Sequence, residues 1–362
     1  MGLIENRRAL HRIPELDREL PATLAYLKQE LSGLDCELFS PISGSLCAWF
    51  DFGADAAIAF RADMDALPIE EKSGAAYASR HPGRMHACGH DGHMAMLLEL
   101  ARRLSKRKRL NRNVLLVFQP AEEASGGAKD ICDSGVFKTY NVEVIFGAHL
   151  WPGLEKGKIF SKPGPMMSRS AELDVDIFGK SAHIGRSWEG CDAMEAACLF
   201  LQKAYELERS LPDDIPRLLK FGHFRSGTVR NAIAAHTRME GGLRAFSDEI
   251  FFGLRDKLLE IAQEIETQFG CTVTVHTSNG YPAVWNPKEL FDRVNAIAPV
   301  EELAQPSMTT EDFSWYQRSI PGIFFFLGLG DNPALHSNNF DFDESVLQIG
   351  ADFFENIAEG WT

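Results

Sequence analysis

The sequence predicts an α/β protein with two domains: a large one on a mostly parallel sheet and a smaller α+β one inserted into it. Three observations predict this class. The chain has 362 residues, which is long for a single domain. Apolar runs of strand length alternate with helical patterns over roughly the first 150 residues. The pattern then changes to the order βαββαβ before the first pattern returns near the end.

Helical and strand patterns alternate through the first part of the chain. Apolar residues at a spacing of three to four predict helix over 5–35, interrupted near Pro14 and Pro21. Apolar runs predict strands at 46–50, 56–60, 114–118 and 144–148, and a buried helix is expected from Met94 to Leu104. Because strands that alternate with helices run parallel, their polar ends are expected to share one edge of the sheet.

The next part of the chain has the pattern of a small α+β domain. Strands are predicted at 172–178, 218–224, 237–245 and 271–277, with helices at 193–207 and 251–269. This is the ferredoxin-like order. A buried strand at 323–328 and a last helix at about 343–358 then return to the first pattern. We therefore expect a large domain formed by 1–167 and 279–362, and an inserted domain at 168–278.

Composition and charge narrow the class of protein. Hydrophobic residues make up 45% of the chain, enough for a large core. The net charge of −14 argues against nucleic acid or an anionic membrane as a partner. No apolar run approaches a membrane span, and the first residues lack the apolar segment of a signal peptide. The seven scattered cysteines suit a reducing compartment, so a cytoplasmic location is expected.

Residues 85–93, Met-His-Ala-Cys-Gly-His-Asp-Gly-His, hold the densest group of reactive side chains. They precede a predicted helix, whose first N–H groups are free and carry partial positive charge. Histidine and glutamate side chains also follow the predicted strands. A thiolate, imidazoles and a carboxylate would suit one or two divalent ions. A lone histidine is more often hydrogen-bonded than metal-bound, so the prediction depends on the joint placement of Cys88, His90, Glu123, His149 and His336.

Other carboxylates at the strand ends suggest supporting roles. If Glu123 binds metal, Glu122 can take a proton from an attacking water. The alternative for the two glutamates is an exposed acidic pair. Asp65 either orients a ligating imidazole or caps a helix or turn, and Asp63 has the same two alternatives.

Four segments together resemble the M20 metallopeptidase superfamily, in its N-acyl-amino-acid amidohydrolase branch. They are Arg61–Pro68, His86–His93, Phe118–Glu123 and Gly147–Trp151. Further matches lie at 10–15, 179–183, 307–313 and 335–337, in the order the family has them. The resemblance therefore extends over the whole chain.

The resemblance implies a three-layer α/β/α catalytic domain with two divalent metal ions per subunit. Zinc or manganese is expected, with nickel or cobalt as alternatives. The five residues grouped above would be the ligands. Glu122 falls on the general base, and Asp63 on the acid that orients this base or a ligand. The inserted domain would act as a lid and as the surface of a homodimer.

The resemblance also implies substrate contacts in the inserted domain. His183 falls on the histidine that contacts the substrate carbonyl, often across the dimer. Asn231 and Arg244 fall where the family contacts the substrate carboxylate. From the residues alone, His183 is a loop histidine and Arg244 suits a structural salt bridge equally well. The family's Gly-Gly before the histidine is Ser181-Ala182 here, and 231–235 reads Asn-Ala-Ile-Ala-Ala where Asn-x-Ile-Pro-Asp is usual.

The predicted reaction is hydrolysis of the amide bond of N-acyl amino acids, a deacylase or aminoacylase activity. One alternative is a dipeptidase or carboxypeptidase on the same dinuclear site. Others are a catalytically silent metal-bound binding protein and a structural site with one zinc ion. The complete ligand set and Glu122 argue against the silent protein. Because the departures lie on the substrate side, the acyl group and the amino acid are not predicted.

Overall fold

A computed structural model describes all 362 residues, and they divide into two compact units. The first unit comprises Met1–Met166, Trp285–Gln305 and Asp312–Thr362, and the second comprises Met167–Val284 and Pro306–Glu311. In sequence, the second unit is thus inserted into the first. None of the helices is both long and apolar enough to span a bilayer.

The chain forms ten helices and fourteen strands. The helices are α1 Leu3–His11, α2 Pro21–Leu31, α3 His90–Leu104, α4 Ala128–Asp133, α5 Val136–Thr139, α6 Ala193–Ser210, α7 Asp248–Phe269, α8 Lys288–Ile297, α9 Ser314–Ser319 and α10 Val346–Gly360. The strands are β1 Glu37–Phe39, β2 Leu46–Phe50, β3 Ala57–Asp63, β4 Asn113–Gln119, β5 Val142–Trp151, β6 Ile159–Ser161, β7 Gly164–Met167, β8 Arg169–Phe178, β9 Arg217–Ser226, β10 His236–Ala245, β11 Thr272–Thr277, β12 Val284–Asn286, β13 Glu301–Glu302 and β14 Gly322–Gly328.

An eight-stranded mixed sheet organises the first unit, in the order β1-β2-β4-β3-β5-β14-β6-β13. The central strands β4, β3, β5 and β14 run parallel to one another. Strands β2 and β6 pair antiparallel with this central group. Every residue of β3, β4 and β14 is buried, as expected for parallel strands covered on both faces. The predicted α/β class is confirmed.

A four-stranded antiparallel sheet, in the order β11-β8-β10-β9, organises the second unit. Helices α6 and α7 pack on it and share its apolar core. Along the chain the elements follow as β8-α6-β9-β10-α7-β11. This is the predicted βαββαβ order, and the ferredoxin-like α+β prediction is confirmed.

The predicted interruption of the N-terminal helical segment is present in the structure, because an irregular segment at 12–20 separates α1 from α2. Pro21 is the first residue of α2, where the missing N–H of proline has no cost. The carboxylate of Glu15 accepts hydrogen bonds from the amides of Ala22 and Thr23, at 3.1 and 2.8 Å. A buried carboxylate upstream therefore caps the helix, which the apolar spacing could not indicate.

Parallel strands and one tight turn create the edge that carries the reactive side chains. Strands β3, β4 and β5 all point their carboxyl ends to this edge. Gly89, just before α3, has a φ of 89°. A Cβ there would lie 3.1 Å from a methyl carbon of Leu150, so glycine is favoured by both conformation and space. The turn brings the start of α3 to the same edge.

Candidate metal centre

All five predicted metal ligands lie in one assembly at the carboxyl edge of the first unit's sheet. Their ligand atoms form three groups, within each of which the atoms lie within 4.8 Å of one another. The groups are Asp63, His90, His93 and His149; Cys88, Glu123 and His336; and His90, Glu122 and Glu123. The predicted base Glu122 therefore lies beside His90 and Glu123, and the shared residues link the groups into one site.

Hydrogen bonds define which ring nitrogen of two histidines faces the site. The Nδ1 of His90 donates to the carbonyl oxygen of Asp65 at 2.7 Å, and that of His149 donates to the carbonyl oxygen of Leu150 at 2.7 Å. A carbonyl can only accept, so each Nδ1 carries a proton. Burial lowers the pKa of both rings and favours their neutral form, in which Nε2 carries a lone pair. This is the arrangement that metal-bound histidines have in proteins.

The atoms that face the cluster fit a divalent cation. The buried Nε2 of His90 and Oε1 of Glu123 make no hydrogen bond of good geometry and lie 3.7 Å apart. Buried polar atoms are rarely left unsatisfied. Burial lowers the pKa of His149 to about 3, so this ring is neutral at physiological pH. Neutral imidazoles and a carboxylate are the donor set that such a cation needs.

Cys88 and His336 complete the second group around Glu123. The Sγ of Cys88 lies 3.3 Å from the Nε2 of His149, and the Nε2 of His336 lies 3.3 Å from the Oε1 of Glu123. Burial, together with Glu123 and Glu122, raises the pKa of the Cys88 thiol well above its usual range. A cation bound there would therefore displace the thiol proton. The group of Cys88, Glu123 and His336 adjoins the group that contains His149, because His90 and Glu123 also meet in the third group.

Asp63 is held by a histidine that the sequence analysis did not place among the ligands. It accepts a hydrogen bond from the Nδ1 of His93 at 2.6 Å, and the Nε2 of His93 accepts one from the Leu150 amide at 3.0 Å. Because both ring nitrogens of His93 are in hydrogen bonds, this ring holds the Asp63 carboxylate in place. Burial opposes ionisation of Asp63. The positive charge of Arg61 at 2.8 Å, together with His90 and His93, nevertheless holds the pKa of Asp63 well below its usual range.

The segment after β4 presents Glu122 and Glu123 in a compact loop. Ala121 has a φ of 65°, which is uncommon for a residue with a Cβ. The amide of Gly126 donates to the Ala121 carbonyl at 2.8 Å and closes the loop. The side chain of Asp65, which the sequence left with two alternatives, accepts hydrogen bonds from the amides of Glu122 and Glu123 at 2.9 and 3.0 Å. Its carboxylate therefore holds this loop, and the Nδ1 of His90 lies 3.8 Å from it.

A buried ionic network behind the loop of residues 85–93 was missed by the sequence analysis. Arg7 and His11 both bind Asp91, at 2.9 and 2.7 Å, and the second nitrogen of His11 lies 3.3 Å from Glu71. His11 lies in the segment 10–15 that resembles the family, but no feature of the sequence near His11 indicated a contact with Asp91. His86 is fully buried beside this network, and neither ring nitrogen has a hydrogen-bond partner.

The predicted substrate contacts all lie in the second unit. His183 is exposed and precedes a 3₁₀ turn at Ile184–Glu189, where its Nδ1 accepts a hydrogen bond from the Gly185 amide at 3.1 Å. Asn231 is its neighbour, since its carbonyl accepts the Ile184 amide at 3.0 Å. Arg244 lies on β10 and donates to the Met308 carbonyl at 2.5 Å. Their roles toward a substrate stay predictions.

Sequence comparisons find relatives that match nearly the whole chain. The family model described as peptidase family M20/M25/M40 matches residues 59–360. The N-acetyldiaminopimelate deacetylase of Halalkalibacterium halodurans is 33% identical over 357 residues, which cover 96% of each chain. The enzyme of the same name from Limosilactobacillus reuteri is 32% identical over 373 residues, covering 99% of this chain and 97% of its own.

Solved structures with a similar fold cover nearly the whole chain. A protein of methicillin-resistant Staphylococcus aureus superposes with a TM-score of 0.92 at 29% identity, covering 98% of this chain and 95% of its own. The YXEP protein of Bacillus subtilis, described as a dinuclear metal binding peptidase from the M20 family, has a TM-score of 0.86 at 29% identity, covering 98% and 96%.

Proposed function

The chain belongs to peptidase family M20/M25/M40, and we propose that it is a metal-dependent hydrolase that removes the acyl group from N-acyl amino acids. Membership supports a hydrolase that acts on amide bonds of small substrates. The relatives named N-acetyldiaminopimelate deacetylase support a deacylase. From them we infer that a short acyl group, such as acetyl, on the amine of an amino acid is the substrate class.

The observation that carries the proposal is the position of Glu122. This carboxylate is buried, with 8% exposure, and one of its oxygens lies within 4.8 Å of the ligand atoms of His90 and Glu123. Glu122 is not one of the five proposed ligands, but it lies beside them. A carboxylate in this position is suited to proton transfer. The adjacent Glu123 remains available as a ligand.

Cys88, His90, Glu123, His149 and His336 would hold the metal ions. When bound, the ions polarise the substrate carbonyl and lower the pKa of the attacking water. Glu122 takes a proton from the water as the water oxygen bonds to the carbonyl carbon. Glu122 then returns this proton to the leaving nitrogen as the carbon–nitrogen bond breaks. The products are a carboxylic acid and the free amino acid, so atoms and protons balance.

The second unit supplies the remaining proposed contacts. His183 would donate to the oxygen that becomes negative, and Asn231 and Arg244 would bind the substrate carboxylate. The proposed roles of this unit as lid and homodimer surface come from the family resemblance and stay predictions.

Replacement of Glu122 tests the proposal. We expect Glu122→Gln to lower kcat by about 10²- to 10⁴-fold, because the amide cannot accept the proton. Metal content should stay at the wild-type level, since the five ligands are unchanged. Purified protein loaded with zinc or manganese would be assayed on N-acetyl amino acids and on dipeptides, with metal content measured in parallel.

Glu37→Gln is the matched control, because Glu37 lies exposed on edge strand β1 and should leave kcat unchanged. Full activity in Glu122→Gln would overturn the mechanism. Hydrolysis of dipeptides alone would assign the exopeptidase activity instead. No hydrolysis of either class in any metal would support the silent binding protein.

A further inference from the structure

Asp65 makes three contacts that converge on the candidate centre. Its carboxylate accepts the Glu122 amide at one oxygen and the Glu123 amide at the other, at 2.9 and 3.0 Å. Its own carbonyl accepts the Nδ1 proton of His90 at 2.7 Å. The side chain is buried, with 1% exposure of the residue. Asp65 thereby binds the backbone amides of Glu122, the proposed proton acceptor, and of Glu123, a proposed ligand. It also binds the Nδ1 of His90, a second proposed ligand.

These contacts determine where the three functional groups point. Glu122 and Glu123 are consecutive, so in an extended segment their side chains would diverge. Here they follow Ala121 in the left-handed region, and the groups of His90, Glu122 and Glu123 stay within 4.8 Å. A conformation of this kind persists only where its surroundings hold it. The two amide contacts of Asp65 act directly on the backbone of the two glutamates.

The other end of the loop is held separately. A single carboxylate oxygen of Asp312 accepts the amides of Gly127 and Ala128, each at 3.0 Å. Because Asp312 anchors the start of α4, losing the Asp65 contacts should free 121–125 without unfolding the helix. This separation makes a local effect measurable.

We propose that Asp65 is a positioning residue that sets the direction of the Glu122 and Glu123 carboxylates toward His90. It touches no reacting atom and acts through the backbone of the loop. The catalytic part of this inference rests on the proposed function, whereas the effect on loop order and metal affinity does not.

Asp65→Asn is the informative variant. An amide side chain offers one acceptor oxygen, and its NH₂ group would face the second backbone N–H. One of the two amides therefore loses its partner while side-chain size stays constant. We expect kcat to fall about 10- to 100-fold with KM changed less than about threefold, and affinity for zinc to fall about 10- to 100-fold.

Three measurements separate positioning from a general structural role. Kinetics on an N-acetyl amino acid give the kcat and KM split, and competition with a chromophoric chelator gives the affinity for zinc alone. Hydrogen exchange resolved to single amides should show faster exchange in 121–125, with α3 and α4 unchanged. Asp51→Asn is the control, because Asp51 accepts the Gly53 amide at 2.8 Å in an exposed turn and should change none of the three.

The results separate this inference from the proposed function. If wild type hydrolyses no N-acyl amino acid, the proposed function fails, and exchange and zinc affinity still decide the role of Asp65. Unchanged exchange in 121–125 with zinc affinity within twofold of wild type would overturn the inference. So would faster exchange spread evenly over α3 and α4. If Asp65→Asn does not fold, hydrogen exchange of the wild-type protein tests the inference instead. The Glu122 and Glu123 amides should exchange at least about tenfold more slowly than unprotected amides, and faster exchange would overturn the inference.

Discussion

His11 is a buried histidine whose charge the network behind the candidate site requires. Burial opposes protonation, but Asp91 and Glu71 outweigh it and raise the pKa of His11 to about 9. The imidazolium is therefore the folded-state form at neutral pH. Since Asp91 follows His90 directly, this charge helps to hold the start of α3 through the Asp91 carboxylate.

The raised pKa predicts a loss of stability at alkaline pH. The contribution is fully present below the unfolded pKa of 6.5 and is lost as pH rises through about 9. The rise in pKa corresponds to at most about 3 kcal/mol. We expect urea unfolding to show this decrease in wild type between pH 6.5 and 9.5, and a flatter profile in His11→Gln.

His276→Gln is the control for this pH profile, because His276 lies exposed on β11 and should keep the wild-type slope. The comparison of the two variants removes the contribution of other groups that titrate in this range. Identical slopes in wild type and His11→Gln would contradict the assignment of the alkaline loss to this histidine.

Helix packing in the first unit depends on one close approach between α10 and α3. Gly350 lies buried on α10, and a Cβ there would be 2.1 Å from the sulfur of Met96 and 3.0 Å from a methyl carbon of Leu327. The Met96 side chain is itself buried, with 1% exposure. Little space is therefore available for it to move aside.

Two glycine replacements should change stability in opposite directions. Gly350→Ala should cost about 1–3 kcal/mol through overpacking. Gly253→Ala should add about 0.5–1 kcal/mol, because a Cβ at this exposed position of α7 meets nothing within 4 Å and alanine reduces the freedom of the unfolded chain. Hydrogen exchange of α10 and α7 measures each effect in its own unit. Equal shifts in both helices would contradict the packing argument.

At the scale of the whole molecule, the candidate centre exists only in the folded first unit. Glu123 and His336 lie on opposite sides of the second unit in the sequence, yet their side chains approach to 3.3 Å. A second long-range link joins Arg61 to Asp312 at 2.9 Å. Residues this far apart cannot form a site in the unfolded chain, so metal binding at the proposed ligands would be coupled to folding.

This coupling predicts that metal stabilises the protein. Free zinc at 100 times its dissociation constant should raise the free energy of unfolding by about 2.7 kcal/mol. We expect chelator-treated wild type to gain this stability on addition of zinc, and Cys88→Ser to gain much less because a ligand is lost. Chemical unfolding with and without zinc measures the gain.

Cys198→Ser is the matched control, because Cys198 is an exposed free thiol and its replacement should leave the gain unchanged. An equal gain in Cys88→Ser would place the zinc site elsewhere. The absence of any gain in wild type would contradict metal binding at these residues.

The sequence alone was sufficient for the class of the fold and for most elements. Burial on both faces makes strands such as β4 and β14 continuous apolar runs, and half-exposed helices keep their apolar spacing. Both patterns are local, so they can be recognised without knowledge of the fold. The set of candidate ligands was also accessible, because parallel strands deliver their polar ends to one edge.

The partners of each reactive group were decided by the tertiary structure alone. His93 binds Asp63, and Asp65 holds the loop of Glu122, although each carboxylate had open alternatives in the sequence. The network of Arg7 and Asp91 was not foreseen. Such pairings depend on strand register and on the packing of segments far apart in the chain, and residue spacing contains neither. The sequence by itself determined which chemical groups reach the edge of the sheet, and the folded chain determined which of them contact one another.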